Sequence, residues 1–232
     1  MKNRYHFSIL IIILLFVTGC SSQRYGLNKP SLLLQYYEGP YRWAGIVLGQ
    51  STLEETIAQL ELLNFVDTES IYQGSGYGDF DYGVYLNFQD GFREERMSVW
   101  FMDGKAQTLN FSSQYTLDEI QKNLGEVEKL VVYGWMYEQP MMKYYGYSES
   151  TGYVILGGPS NGRNLDELEE VTLSDESIFF VKLIHPDVLM NVQSIQMSAV
   201  VRDYIISEGY FEDWHGYGEY EVIRPEYDLY MP

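Results

Sequence analysis

Residues 84–111 constrain this chain most, because apolar side chains recur there at every second position between turn signals. Val84, Leu86 and Phe88 alternate with Tyr85 and Asn87. Met97, Val99 and Phe101 alternate with Ser98, Trp100 and Met102, and Leu109 and Phe111 continue the pattern. A period of two sends successive side chains to opposite faces of a strand. Asp90-Gly91 and Asp103-Gly104 separate the runs, and Asp-Gly between alternating apolar residues is a strong hairpin signal. The spacing predicts a three-stranded antiparallel meander with one apolar face.

A partner for that face precedes it. Ser51 and Glu54 have capping-box spacing, in which each side chain satisfies an orphan N–H at a helix start. Leu53, Ile57 and Leu60 then share one helical face. The glycine-rich Gly74 to Gly78 reads as a flexible loop before the first strand. The pattern recurs downstream. Thr116 and Glu119 repeat the box, Leu117, Ile120 and Leu124 form a stripe ended by Gly125, and strand-like segments follow at Leu130–Tyr137, Met141–Tyr147 and Gly152–Leu156. The expectation is an α+β protein of tandem units, residues 43–111 and 112–160, each an amphipathic helix packed on an antiparallel meander. Residues 161–232 are expected to form a smaller C-terminal α/β lobe. There, 165–176 is an acidic helix or loop, Ile178–Ile184 a buried strand, Val192–Met197 a strand able to pair with it, and Ala199–Glu208 a helix stopped by Gly209.

The N-terminus supplies an address. Lys2 and Arg4 precede an unbroken apolar run from Ile9 to Val17. Nine residues of helix rise about 14 Å, well short of a bilayer core, so the run fits the h-region of a signal peptide. Val17-Thr18-Gly19-Cys20 resembles a bacterial lipobox. That resemblance implies cleavage after Gly19, acylation of Cys20, a signal peptide at 1–19 and a lipidated tether at 20–42. The plain alternative is an ordinary secretory signal or short anchor helix with an incidental cysteine. Cys20 is the only cysteine, which excludes an internal disulfide and any multi-cysteine metal site. Two or three acyl chains hold a protein firmly to a membrane. Ser21 after the cysteine implies outer-membrane sorting in a cell with two membranes, and the outer face of the plasma membrane in a cell with one. Losing residues 1–19 would leave 13 bases against 33 acids, a net −20. Such a surface repels nucleic acid and anionic headgroups, so nucleic-acid partners are excluded and the lipid on Cys20 makes the membrane contact.

The lipobox, the short tether and the Gly-x-Ser/Thr-x-x-Glu helix opening before a meander resemble the SmpA/OmlA type of small lipoprotein. That type includes the small accessory lipoprotein of the outer-membrane β-barrel assembly machinery. Leu124-Gly125-Glu126-Val127 is similar to the family's Leu-Gly-x-Pro, with Val in the place of Pro, whereas Leu60-Glu61-Leu62-Leu63 has no Gly. The resemblance covers residues 43–156. It implies a helix-on-sheet binding scaffold rather than an enzyme.

Signals for catalysis are sparse. His185 and His215, the two histidines after the signal segment, lack zinc-ligand spacing, no Gly-x-Ser-x-Gly elbow is present, and Cys20 is committed to lipid. Gly74-Ser75-Gly76-Tyr77-Gly78 fits neither a dinucleotide motif nor a P-loop. Asp79 and Asp81 are weak calcium candidates, because Gly83 and Val84 stand where a full loop needs a further ligand and a glycine. With 33 acids an acidic-pair glycoside hydrolase remains a remote alternative, and the sequence selects no pair. No cofactor is expected. Aromatic content is the more pointed signal: 22 Tyr, 4 Trp and 11 Phe, clustered at Tyr133–Tyr147 and Tyr210–Tyr220. Tyr and Trp suit protein interfaces and sugar faces, although such rings also fill β-rich cores. Trp135, Tyr137, Trp214 and Tyr217 are the expected binding surface. The expected function is a non-catalytic envelope lipoprotein that binds a protein partner; a glycan-binding module is the alternative.

Overall fold

The computed structural model describes residues 27–76, 78–135, 141–157, 170–189 and 199–224. The protein is mixed α+β and mostly strand. A first segment holds helix α1 (Leu32–Tyr36) and the strands β1 (Tyr37–Gly39), β2 (Arg42–Trp43) and β3 (Ile46–Val47) of a small sheet. Helix α2 (Leu53–Glu61) leads into β4 (Val66–Ser75), β5 (Tyr82–Phe88), β6 (Arg96–Met102) and β7 (Lys105–Thr116). Helix α3 (Leu117–Leu124) leads into β8 (Lys129–Trp135), β9 (Met141–Ser148) and β10 (Tyr153–Gly157). Then come β11 (Glu170–Leu173), β12 (Ile178–Ile184), a 3₁₀ turn at Pro186–Val188, α4 (Ala199–Ser207), β13 (Glu212–Asp213) and β14 (Gly218–Ile223).

Strands β4 to β14 form one sheet in the order β11-β14-β8-β9-β10-β12-β7-β6-β5-β4, with β13 also on β8. All pairs are antiparallel except β14 with β8. Residues 161–232 were expected to pack as a lobe of their own. Instead β12 sits mid-sheet between β10 and β7, and β11 and β14 extend the far side. Ile178–Ile184 is apolar but for Lys182, and mid-sheet placement buries Phe179, Val181 and Leu183 on one face and Lys182 and Ile184 on the other, while Phe180 stays exposed.

Three further expectations change. The first helix is capped by Thr52 and Glu55, one residue later than expected, because Ser51 Oγ accepts from Val47 N instead. The second box, Thr116 with Glu119, forms where expected. The first meander has four strands, and Gly74 and Ser75 belong to β4, paired with Gly83 and Tyr82. Part of the acidic stretch 165–176 is strand β11. Val192–Met197 lies outside the described residues.

One face of the sheet carries α1 to α3 and the β1–β3 segment over the larger core, which includes Leu60, Val84, Val99, Leu109, Ile120, Val132 and Val181. On the opposite face, Val131, Tyr145, Val154, Leu156 and Ile184 pack under Ile205 of α4. That second core covers β8, β9, β10 and β12 and reaches Met102 at the end of β6; over β4, β5 and the rest of β6 no described helix or core residue covers the same face.

Candidate binding surface

Register places one residue from each of eight strands, β4 to β10 and β12, in a row across this second face: Tyr72, Tyr85, Ser98, Asn110, Lys182, Val154, Tyr147 and Lys129. At the open end the row is aromatic. The Tyr72 and Tyr85 rings stack at 5.0 Å and 14°, and Tyr72 is 59% exposed. Trp100 meets Tyr85 edge-on at 5.6 Å and 78°, with buried Phe80 against it at 5.7 Å. Two facing glycines make room for this cluster. A Cβ on Gly74 would lie 2.8 Å from the Tyr85 ring and one on Gly83 3.1 Å, so the ring lies over backbone that carries no side chain. The Trp100 indole N–H donates to Ser98 Oγ at 3.1 Å, which also accepts from Asn110 Nδ2 at 3.2 Å. Burial, and then Tyr72, raise the Tyr85 phenol above its ordinary value, so it stays a neutral contact group at physiological pH.

The cluster borders β4, the last strand of the sheet, whose outer edge has no strand partner among the described residues. β4 is irregular between Asp67 and Tyr72, where Ser70 Oγ accepts from Asn87 N at 2.8 Å and donates to the Asp67 carbonyl. Irregular pairing and acidic side chains blunt an edge against indiscriminate pairing.

The expected surface is only partly described. Cys20 and Tyr137 lie outside the described residues. Trp135 ends β8 opposite Met141, and its side chain is outside them as well. Trp214 and Tyr217 come together at 6.1 Å and 90°, on the helix-bearing face. Trp214 stacks on buried Tyr220 and packs against the larger core, while Tyr217 is exposed and donates to Gln121 Oε1 of α3. Asp79 and Asp81 are exposed either side of buried Phe80, and no three His, Cys, Asp or Glu come together among the described residues. Tyr72, Tyr85 and Trp100 are not among the residues expected from sequence, although alternation puts Tyr85 and Trp100 opposite the core residues of their strands. Large rings on the non-core face of a meander were the missed signal.

Three carboxylates with built surroundings are occupied structurally. Buried Glu94 accepts from Ser31 Oγ at 2.6 Å, Leu32 N at 2.8 Å, Leu33 N at 3.3 Å and the Tyr115 hydroxyl. Burial, followed by Glu94, pushes that phenol well above its usual value. Glu119 pairs bidentately with Arg93 at 2.9 and 3.0 Å while capping α3; burial works to raise its carboxyl, and these contacts outweigh it and hold it below the ordinary range. Glu128 accepts from Glu149 N, Ser150 N and the Ser148 and Ser150 hydroxyls, which likewise outweigh burial and lower it. None of the three is left to act as a paired acid and base. Among the described residues no helix is long and apolar enough to cross a membrane. Comparison with family models, curated proteins and solved structures finds no match.

Proposed function

We propose that this protein is a lipid-anchored extracytoplasmic lipoprotein, held by Cys20, that works as a non-catalytic scaffold binding an envelope protein through the open face of β4, β5 and β6. The observation that carries the reading is the exposed Tyr72 ring, stacked on Tyr85 beside Trp100 at an open sheet edge. Clustered Tyr and Trp next to polar Ser98 and Asn110 have the composition of a recognition patch. The rings turn through 78° between Tyr85 and Trp100, which makes an uneven surface rather than the flat platform that sugar stacking favours. That angle ranks a protein partner above a glycan.

The scaffold itself reads as a duplicated unit. Each capping-box helix is followed by four antiparallel strands, β4 to β7 in one half and β8, β9, β10 and β12 in the other. The halves meet at the β7–β12 pair. The second half differs by the insertion that carries β11.

A photo-crosslinking residue at Tyr72, compared in cells with one at exposed Glu61, tests the binding claim. One dominant envelope protein captured only from position 72 is the expected outcome. Polysaccharide fragments in its place would establish the glycan alternative, and identical capture from both positions would remove this face as the binding surface.

A further inference from the structure

We infer that the short tether turns a fixed pole of the protein toward the lipid surface, the pole formed by the β5–β6 loop, and so points the aromatic cluster away from the membrane. This rests on the proposed acylation of Cys20. The strands have two common ends. Val66 pairs with Phe88, Asn87 with Arg96, Met97 with Phe111 and Thr116 with Ile178, which gathers the start of β4, the 89–95 loop, the end of β7 and the start of β12 at one pole. The chain enters the fold at that pole. Arg93 Nη2 donates to the Leu27 carbonyl at 2.6 Å, Arg93 N donates to the Pro30 carbonyl at 3.0 Å, and Glu94 then takes Ser31 and the first turn of α1.

From Cys20 to Leu27 the chain has seven residues, which reach about 25 Å when fully extended. Strand β7, twelve residues long, spans about 40 Å from the opposite pole to this one. Bringing the Asp103-Gly104 turn to the membrane would lift Leu27 beyond the reach of its anchor. Leu62, 78% exposed at the end of α2, lies on the anchored pole beside Phe65, whose carbonyl accepts from Gln89 N. Lys29 and Arg96 are balanced there by Asp90 and Glu95, so chain length rather than charge sets the orientation.

The test is energy transfer from a thiol dye to labelled lipid headgroups, using the acylated full-length protein in vesicles, where Cys20 is blocked by its lipid. Transfer from Asp90→Cys should exceed that from Lys105→Cys roughly two-fold, given a separation of about one strand length. Glu149→Cys repeats the distal measurement. Inserting about ten Gly/Ser residues after Ser22 adds about 35 Å of reach and should bring the proximal and distal signals together. Equal or reversed transfer from protein that floats with the vesicles overturns the orientation, as does a difference that survives the longer tether undiminished. Failure of the wild type to float, matched by Cys20→Ser, removes the anchoring reading and the orientation with it.

Discussion

Lys182 stands at the middle of the cross-sheet row, between Asn110 and Val154, with 8% of its surface exposed. Burial lowers its ammonium group from 10.5 to about 8. The folded protein therefore binds this proton more weakly than the unfolded chain, and linkage makes stability rise with pH from about 8 toward 10.5. Buried Tyr115, Tyr145 and Tyr153 act in the opposite sense. Burial raises each above 10, so their contribution is intact below pH 10 and is lost as pH climbs past it. Denaturant titrations between pH 8 and 10 should show a gain of about 2 kcal/mol, and Lys182→Met should flatten it. The same rise in the variant would assign the effect elsewhere. Local pattern gave no hint of this site, since Ile178–Ile184 reads as a buried strand with one polar exception. Arg93 and Glu94 were equally invisible. Their burial depends on a segment more than sixty residues earlier, which brings Ser31 to Glu94 and Leu27 to Arg93.

Elements were legible where one physical rule acted alone. The Thr116 box, the Leu117–Ile120–Leu124 stripe and the alternating β5 and β6 all stand where spacing put them. β4 was missed because the irregularity between Asp67 and Tyr72 breaks the period of two that identifies a strand. Its two exposed features, the edge and Tyr72, were lost with it. The glycines in this region serve packing rather than flexibility: Gly74 and Gly83 face each other beneath the Tyr85 ring. Gly74→Ala would place a Cβ 2.8 Å from that ring and force it off its seat. Near-ultraviolet circular dichroism should change as the Tyr72–Tyr85 stack opens, and capture of the partner through position 72 should fall. The far-ultraviolet spectrum should stay as it was, with stability moving by less than about 1 kcal/mol. An unchanged near-ultraviolet signal would show that the ring does not depend on the glycine floor.

At the scale of the whole molecule, long-range pairing decides what local pattern cannot. β12 pairs with β7, Ile178 opposite Thr116, and with β10 on its other side, so a strand read as part of a C-terminal lobe joins the two halves of the sheet. The first segment crosses the same join on the helix-bearing face. Trp43, fully buried, packs on Phe88 and Phe111 of the first half. Nearby, Tyr37 donates to the Thr151 carbonyl and Tyr41 to the Glu149 carbonyl, in the β9–β10 turn of the second half. These contacts tie β4–β7 to β8–β12, and the expected consequence is that the whole sheet unfolds as one cooperative unit. Trp43→Ala should cost about 3–5 kcal/mol, the usual range for deleting a large buried ring. Because the segment bears on both halves, hydrogen exchange should accelerate together in β5 and β9. Faster exchange confined to β5, with β9 protected as in the wild type, would mean that the halves unfold independently and that β12 and the first segment do not couple them.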